Sequence, residues 1–133
     1  MTFRKQKTMN KVQLIGRVGN PFVRHGQSAT GEFTFATTGN EKDQYGNWKE
    51  VTEWHTIKVL GETNCQQAKK HFQPGKPLYI EGRLKTEHWT DNTGGKRSKT
   101  KIYMENWQFL PSEAKKKEAV TVQEVTEKAT GSV

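Results

Sequence analysis

Hydrophobic and polar residues alternate most strictly between Leu78 and Leu110. Leu78, Ile80, Gly82 and Leu84 interleave with Tyr79, Glu81, Arg83 and Lys85, and the run continues into Glu87-His88-Trp89-Thr90. Asp91-Asn92-Thr93-Gly94-Gly95 supplies turn residues, and Lys96-Arg97-Ser98-Lys99-Thr100-Lys101 leads back into Ile102-Tyr103-Met104. A period of two places one side of each strand in a core and the other in solvent. The pattern predicts a long antiparallel hairpin whose first strand points Leu78, Ile80, Gly82 and Leu84 inward.

Three more strands and a helix precede it. Lys11 to Val18 puts Val12, Leu14, Gly16 and Val18 on one face and is broken by Gly19-Asn20-Pro21, since proline gives a ladder no donor. Glu32 to Thr38 turns Phe33 and Phe35 the same way, and Lys42 to Asn47 reads as a flexible hairpin tip. Lys49 to Leu60 is rich in β-branched and aromatic residues and reads as the third strand. Gly61 ends it. Thr63 and Gln66 have capping-box spacing, Cys65, Ala68 and Phe72 form a narrow apolar stripe, and Pro74-Gly75 is a stop, which predicts a helix over 63–72. The result is an all-β chain with one short helix between strands three and four, the element order of a five-stranded OB-fold barrel. Residues 111–133 hold no large apolar side chain and are expected to form a disordered tail.

Composition narrows the function. A chain of 133 residues has room for one domain and a tail. Only 31% of residues are hydrophobic and the mean hydropathy is −0.97, so the core is small and oligomerisation would supplement it. No apolar run approaches the roughly 20 residues of a membrane span, and the first eight residues contain no secretory apolar region. A single cysteine, Cys65, excludes an internal disulfide framework and fits a reducing compartment. The net charge is +8. In the tail, Lys115, Lys116, Lys117 and Lys128 are cancelled by Glu113, Glu118, Glu124 and Glu127, so the whole excess falls on residues 1–110. A basic domain with a neutral tail points to a polyanionic partner, against the plainer alternative that the charge serves solubility.

The outward positions give that partner a chemistry. Trp54 lies in Thr52-Glu53-Trp54-His55-Thr56 and Trp89 in an equally polar stretch, where burial of either indole is disfavoured. Cations for phosphates beside aromatic faces for bases is the layout of a single-strand nucleic-acid binder. Lys96, Arg97, Lys99 and Lys101 cluster near Trp89 and are candidates to follow a phosphate backbone, although a charge run also protects sheet edges. Trp48 lies beside the first hairpin tip as a further stacking candidate, and Arg17, Arg24, Lys49 and Lys58 are further phosphate candidates. Trp107 alternates with Tyr103 and Phe109, which favours packing or an interface. No carboxylate pair or metal spacing surrounds His55, and Cys65 and His71 diverge by roughly 240° on a helix. No zinc, metalloprotease or phosphate-loop motif occurs, so neither metal, cofactor nor catalytic centre is expected.

The residues also resemble a known family. Asn10-Lys11-Val12-Gln13-Leu14-Ile15-Gly16-Arg17-Val18-Gly19 is similar to the opening strand of bacterial-type single-stranded DNA-binding proteins. Phe35-Ala36-Thr37-Thr38, Thr52-Glu53-Trp54-His55, Leu78-Tyr79-Ile80-Glu81-Gly82-Arg83-Leu84, Trp89-Thr90-Asp91 and Asn106-Trp107-Gln108-Phe109-Leu110 follow in the family's order. The resemblance spans residues 9–110, which leaves 1–8 as an N-terminal extension and 111–133 as the tail.

It implies a homotetrameric OB-fold protein that binds single-stranded DNA without strong sequence preference, cytoplasmic and of bacterial, plasmid or phage origin, with an organelle the less favoured alternative. Trp54 and Trp89 match positions where the family stacks bases, His55 one used in tetramer assembly, and Lys11, Arg83 and Lys85 places where cations line the DNA path. Tyr103 and Trp107 are expected to join His55 in the interface. The chain departs from the family at Asn40 and Leu60, where stacking rings are expected, and at Thr56, Glu62, Gln73, Glu87 and His88, where basic residues are expected. The family's acidic, aromatic-ended tip is replaced by Lys128-Ala-Thr-Gly-Ser-Val133, so tail-mediated recruitment of other proteins is not expected. Two alternatives stand beside this reading. One is a primosome-type OB-fold adaptor, favoured by the lost rings. The other is a nuclease on the same fold, which would need clustered acidic residues.

Overall fold

The computed structural model describes residues 8–111. The expected N-terminal extension (but for Thr8) and the expected disordered tail (but for Pro111) lie outside those residues. The elements are β1 (Val12–Val18), β2 (Val23–Arg24), β3 (Thr30–Lys42), β4 (Trp48–Leu60), α1 (Glu62–His71), β5 (Pro77–Thr90) and β6 (Lys96–Phe109). Their sheet order is β1-β5-β6-β4-β3-β2, and pairing of β1 with β3 at Arg17↔Ala36 and Val18↔Phe35 closes it into a barrel. This is the OB-fold expected from the element order, with α1 between the third and fourth long strands.

Alternation explains the core. Phe33, Phe35, Ile57, Val59, Leu78 and Ile80 are completely or almost completely buried, with Val18, Ile102 and Met104 beside them. Each such side chain contributes roughly 1.5–3 kcal/mol relative to exposure. Cys65 and Ala68 from α1 and Phe72 at its C-cap are fully buried and close one end of the barrel. Phe72 packs its ring 4.9 Å from Phe33 and 5.0 Å from Trp107. Trp107 thus packs against Phe72 at the barrel end.

Three local expectations are corrected, and one short strand is added to the five. Leu84 does not join Leu78, Ile80 and Gly82 inside but is half exposed, because β5 and β6 run on past the barrel as a free-standing ribbon. Thr63 does not cap α1. Gly61 occupies the cap position with no side-chain bond, and the Gln66 amide donates instead to Glu62. The first hairpin is longer than its apolar pattern, since the ladder continues from Thr38↔Thr52 to Lys42↔Trp48 through polar residues whose backbones pair regardless of side chain. Its tip shrinks to Asp43–Asn47, where the Asp43 carboxylate accepts the N–H groups of Tyr45 and Asn47. Finally, the two-residue β2, too short to show a period, adds a sixth strand beside Gly31 and Glu32.

Close approach favours glycine at four described positions, two of which bear on the outer face and the ribbon. A Cβ on Gly82 would stand 2.2 Å from the Tyr103 carbonyl oxygen, at the bulge where β5 and β6 shift register. A Cβ on Gly19 would stand 2.4 Å from the indole of Trp54, which lies across that turn.

Candidate nucleic-acid interface

Because Ile57 and Val59 point inward, Trp54, Thr56 and Lys58 share the outer face of β4. The same parity places Arg83, Lys85, Glu87 and Trp89 on the outer face of β5, directly opposite Tyr103, Lys101, Lys99 and Arg97 of β6. Trp54 is 64% exposed, Trp89 46% and Trp48 67%, so none of the three indoles belongs to the core.

All three rings have cations beside them. Trp54, Thr56 and Lys99 line one hollow with Leu84 and Ile102, and Lys99 and Thr56 also line a neighbouring one with Asn20, Pro21 and His25 of the β1–β3 connection. Trp89 shares a third hollow with His88, Lys96 and Arg97. At the far end of the β3–β4 hairpin, the Lys42 ammonium sits 5.5 Å from the Trp48 ring, a cation–π contact. Tyr45 at that tip is 78% exposed and was not singled out from the sequence, where a lone tyrosine in a polar turn carries no signal.

The expected phosphate contacts differ in what already holds them. No ion pair engages Lys85, Lys96 or Lys99 among the described residues. Lys11 meets Glu81 at 3.6 Å, Arg83 meets Glu105 at 3.5 Å and Arg97 meets Asp91 at 3.8 Å, all loose surface pairs of small worth. Arg17 donates to the Gly75 carbonyl at 2.9 Å. Arg24, a candidate from the sequence, is instead bound by two hydrogen bonds to Glu62. Lys58 is the most constrained, held 3.1 Å from Glu87 and shielded from solvent. The hairpin end is also fixed: the Asp91 carboxylate accepts from the Thr93 hydroxyl and from the N–H groups of Thr93 and Gly95, which holds its pKa below the ordinary range.

The remaining sites lie elsewhere. His55 is half-buried on the inward side of β4, its Nε2 2.9 Å from the Thr37 hydroxyl, and burial lowers its pKa while Glu53 opposes the shift. Tyr103 donates to Glu87 at 2.5 Å, with Arg83 5.2 Å over its ring. Among the described residues, no helix is long and apolar enough to cross a membrane, and no group of three or more His, Cys, Asp or Glu side chains could hold a metal ion.

Sequence reasoning did not find the partners of Lys58. Glu87 binds Lys101 through Oε1 at 2.9 Å and Lys58 and Tyr103 through Oε2, and Lys101 also pairs with Glu32. These bonds, from Lys101 first and Tyr103 second, hold the Glu87 carboxyl down at about 2. A carboxyl depressed on folding stabilises the native state above its ordinary value of 4.5 and loses that contribution as pH falls toward about 2. Urea denaturation at pH 5, 4 and 3 should show a loss of at most about 2 kcal/mol from this group, after allowance for solvent screening. Glu87→Gln should flatten the profile in that window, and an unchanged profile in the variant would remove Glu87 as its source.

A closed β-barrel presenting exposed rings and cations on one face and its hairpins belongs to the oligonucleotide-binding class of small β-proteins. Residues 9–110 match the Single-strand binding protein family, and the chain belongs to that family. The relatives it matches are named as binding proteins. The chain is 42% identical over 109 residues to single-stranded DNA-binding protein 1 of Chlorobaculum tepidum, covering 77% of this chain and 65% of that one. It is 37% identical over 107 residues to single-stranded DNA-binding protein 1 of Xylella fastidiosa, covering 77% and 78%. A relative from Rhizobium meliloti, 36% identical, is covered over 60% of its length, so the chain spans under two thirds of two of these bacterial proteins. Among solved structures, the single-stranded DNA complex of the Plasmodium falciparum protein superposes with a TM-score of 0.68 at 27% identity, over 81% of this chain and 100% of that one.

Proposed function

We propose that this protein binds single-stranded DNA with little sequence preference, protecting and organising it during replication, recombination and repair, in the cytoplasm of a bacterium. The observation that carries this reading is the placement of Trp54 and Trp89, both exposed, each sharing a hollow with a basic side chain on the outer face of a barrel of this family. Residues 9–110 act as the binding domain. Bases stack on Trp54, Trp89 and Trp48, while Lys11, Arg17, Arg83, Lys85, Lys96, Arg97 and Lys99 meet phosphates. Every ring accepts any base, which explains weak sequence preference. Oligo-dT should quench the tryptophan fluorescence, and affinity should fall steeply with salt because cations on phosphates release counterions. A titration without quenching or salt dependence would overturn the reading.

The working form is a homotetramer with His55, Tyr103 and Trp107 in or near its contacts. Its support is the outer edge of β1, which pairs with β3 only at Arg17 and Val18 and leaves Val12 to Gly16 with no second strand neighbour among the described residues, an edge that invites another chain. Light scattering should give four chains per particle, and a stable monomer at micromolar concentration would refute the assembly. Truncation after Leu110 should leave DNA affinity within about threefold, under 1 kcal/mol. A larger loss would make contacts of the lysines at 115–117.

A further inference from the structure

On the same outer face as Trp54 and Trp89, four charges satisfy one another. Lys58 lies four residues from Trp54 on β4, roughly 13 Å along a strand, and Glu87 lies two residues from Trp89 on β5. The Glu87 carboxylate accepts from Lys58, Lys101 and Tyr103, and Lys101 also donates to Glu32, which has His25 at 3.8 Å on its other side. The four side chains are between 13% and 24% exposed. Two ammonium groups and two carboxylates sum to zero, so this patch offers a phosphate no net attraction despite containing two lysines. Drawing Lys101 to a phosphate would leave Glu32 with only His25, and drawing Lys58 away would take from Glu87 one of its three partners; breaking one member of a shielded set costs more than breaking a surface pair. Lys85, Lys96 and Lys99 on the same ribbon face no such cost.

We infer that Glu87 and Glu32 are specificity-determining residues that withhold Lys58 and Lys101 from phosphates. The bound backbone is thereby directed to the cations of the β5–β6 ribbon, and the patch around Glu87 is left without a phosphate. This assignment rests on the single-stranded DNA reading above. It also removes Lys58 from the phosphate contacts expected from the sequence.

The test is a double-mutant cycle on the full chain, with oligo-dT as the ligand and tryptophan quenching as the signal at several salt concentrations. Wild type, Glu87→Gln, Lys58→Gln and the double variant are compared after thermal melting confirms that each is folded. Glu87→Gln should bind about fivefold tighter than wild type, with a salt slope steeper by about 0.7, the increment for one more phosphate contact on a single strand. Lys58→Gln should cost about fivefold more affinity in the Glu87→Gln background than in wild type, the signature of two coupled sites. If Glu87→Gln does not fold, Glu32→Gln takes its place with Lys101→Gln as partner and the same expectations. Equal costs of the lysine substitution in both backgrounds, or a carboxylate variant with the wild-type salt slope, would overturn the inference while leaving DNA binding intact. A wild-type protein that does not bind oligo-dT would overturn the proposed function and this inference with it.

Discussion

Replacing Trp54 and Trp89 together with alanine is expected to lower affinity for oligo-dT by roughly thirtyfold or more. Each stacked base contributes about 1–3 kcal/mol, and the two rings sit on different strands with separate cation partners, so their losses should nearly add. The salt slope should stay where it was, because neither indole neutralises a phosphate. That pairing separates stacking from electrostatics: affinity drops while salt dependence persists. Stability should change little, since both rings are exposed and outside the core; the Trp54 indole only covers the turn at Gly19. Wild-type affinity in the double variant would show that the bases stack elsewhere, with Trp48 and Tyr45 at the other hairpin tip as the next candidates.

Phe72→Ala should act in the opposite way, destabilising the fold by about 3–5 kcal/mol. Its ring is fully buried and joins the end of α1 to Phe33 in β3 and to Trp107 in β6. Removing it opens a cavity where three elements meet, and the surrounding rings can collapse only partly. Against a total of about 5–15 kcal/mol for a domain of this kind, the loss is a large fraction. A urea unfolding curve reads it directly, and a loss under about 1 kcal/mol would mean that α1 does not depend on this contact. DNA binding by the fraction still folded should be unchanged, since Phe72 touches none of the exposed rings on the outer face.

What the sequence determined by itself is whatever has a period or a fixed local chemistry. The two-residue alternation in Glu32–Thr38 and Leu78–Leu84 placed Phe33, Phe35, Leu78 and Ile80 in the core, with Leu84 the exception. Gly61 and Pro74-Gly75 bounded the helix, and the Asp91–Gly95 turn was legible from its residues. The polar flanks of Trp54 and Trp89 correctly set both rings outside the core. Only the tertiary structure decided matters that depend on which strand lies beside which. That Leu84 is exposed follows from the ribbon outrunning the barrel, which no alternation along one strand can show. That Lys58 and Lys101 are engaged follows from Glu32 and Glu87 arriving beside them from two other strands, with Lys58 29 residues from Glu87 and Lys101 69 residues from Glu32. A lysine in a sequence is only a charge with a long reach; whether it is open to a phosphate depends on the carboxylates that folding brings within about 3 Å of it, where shielding from water makes the pair hard to break.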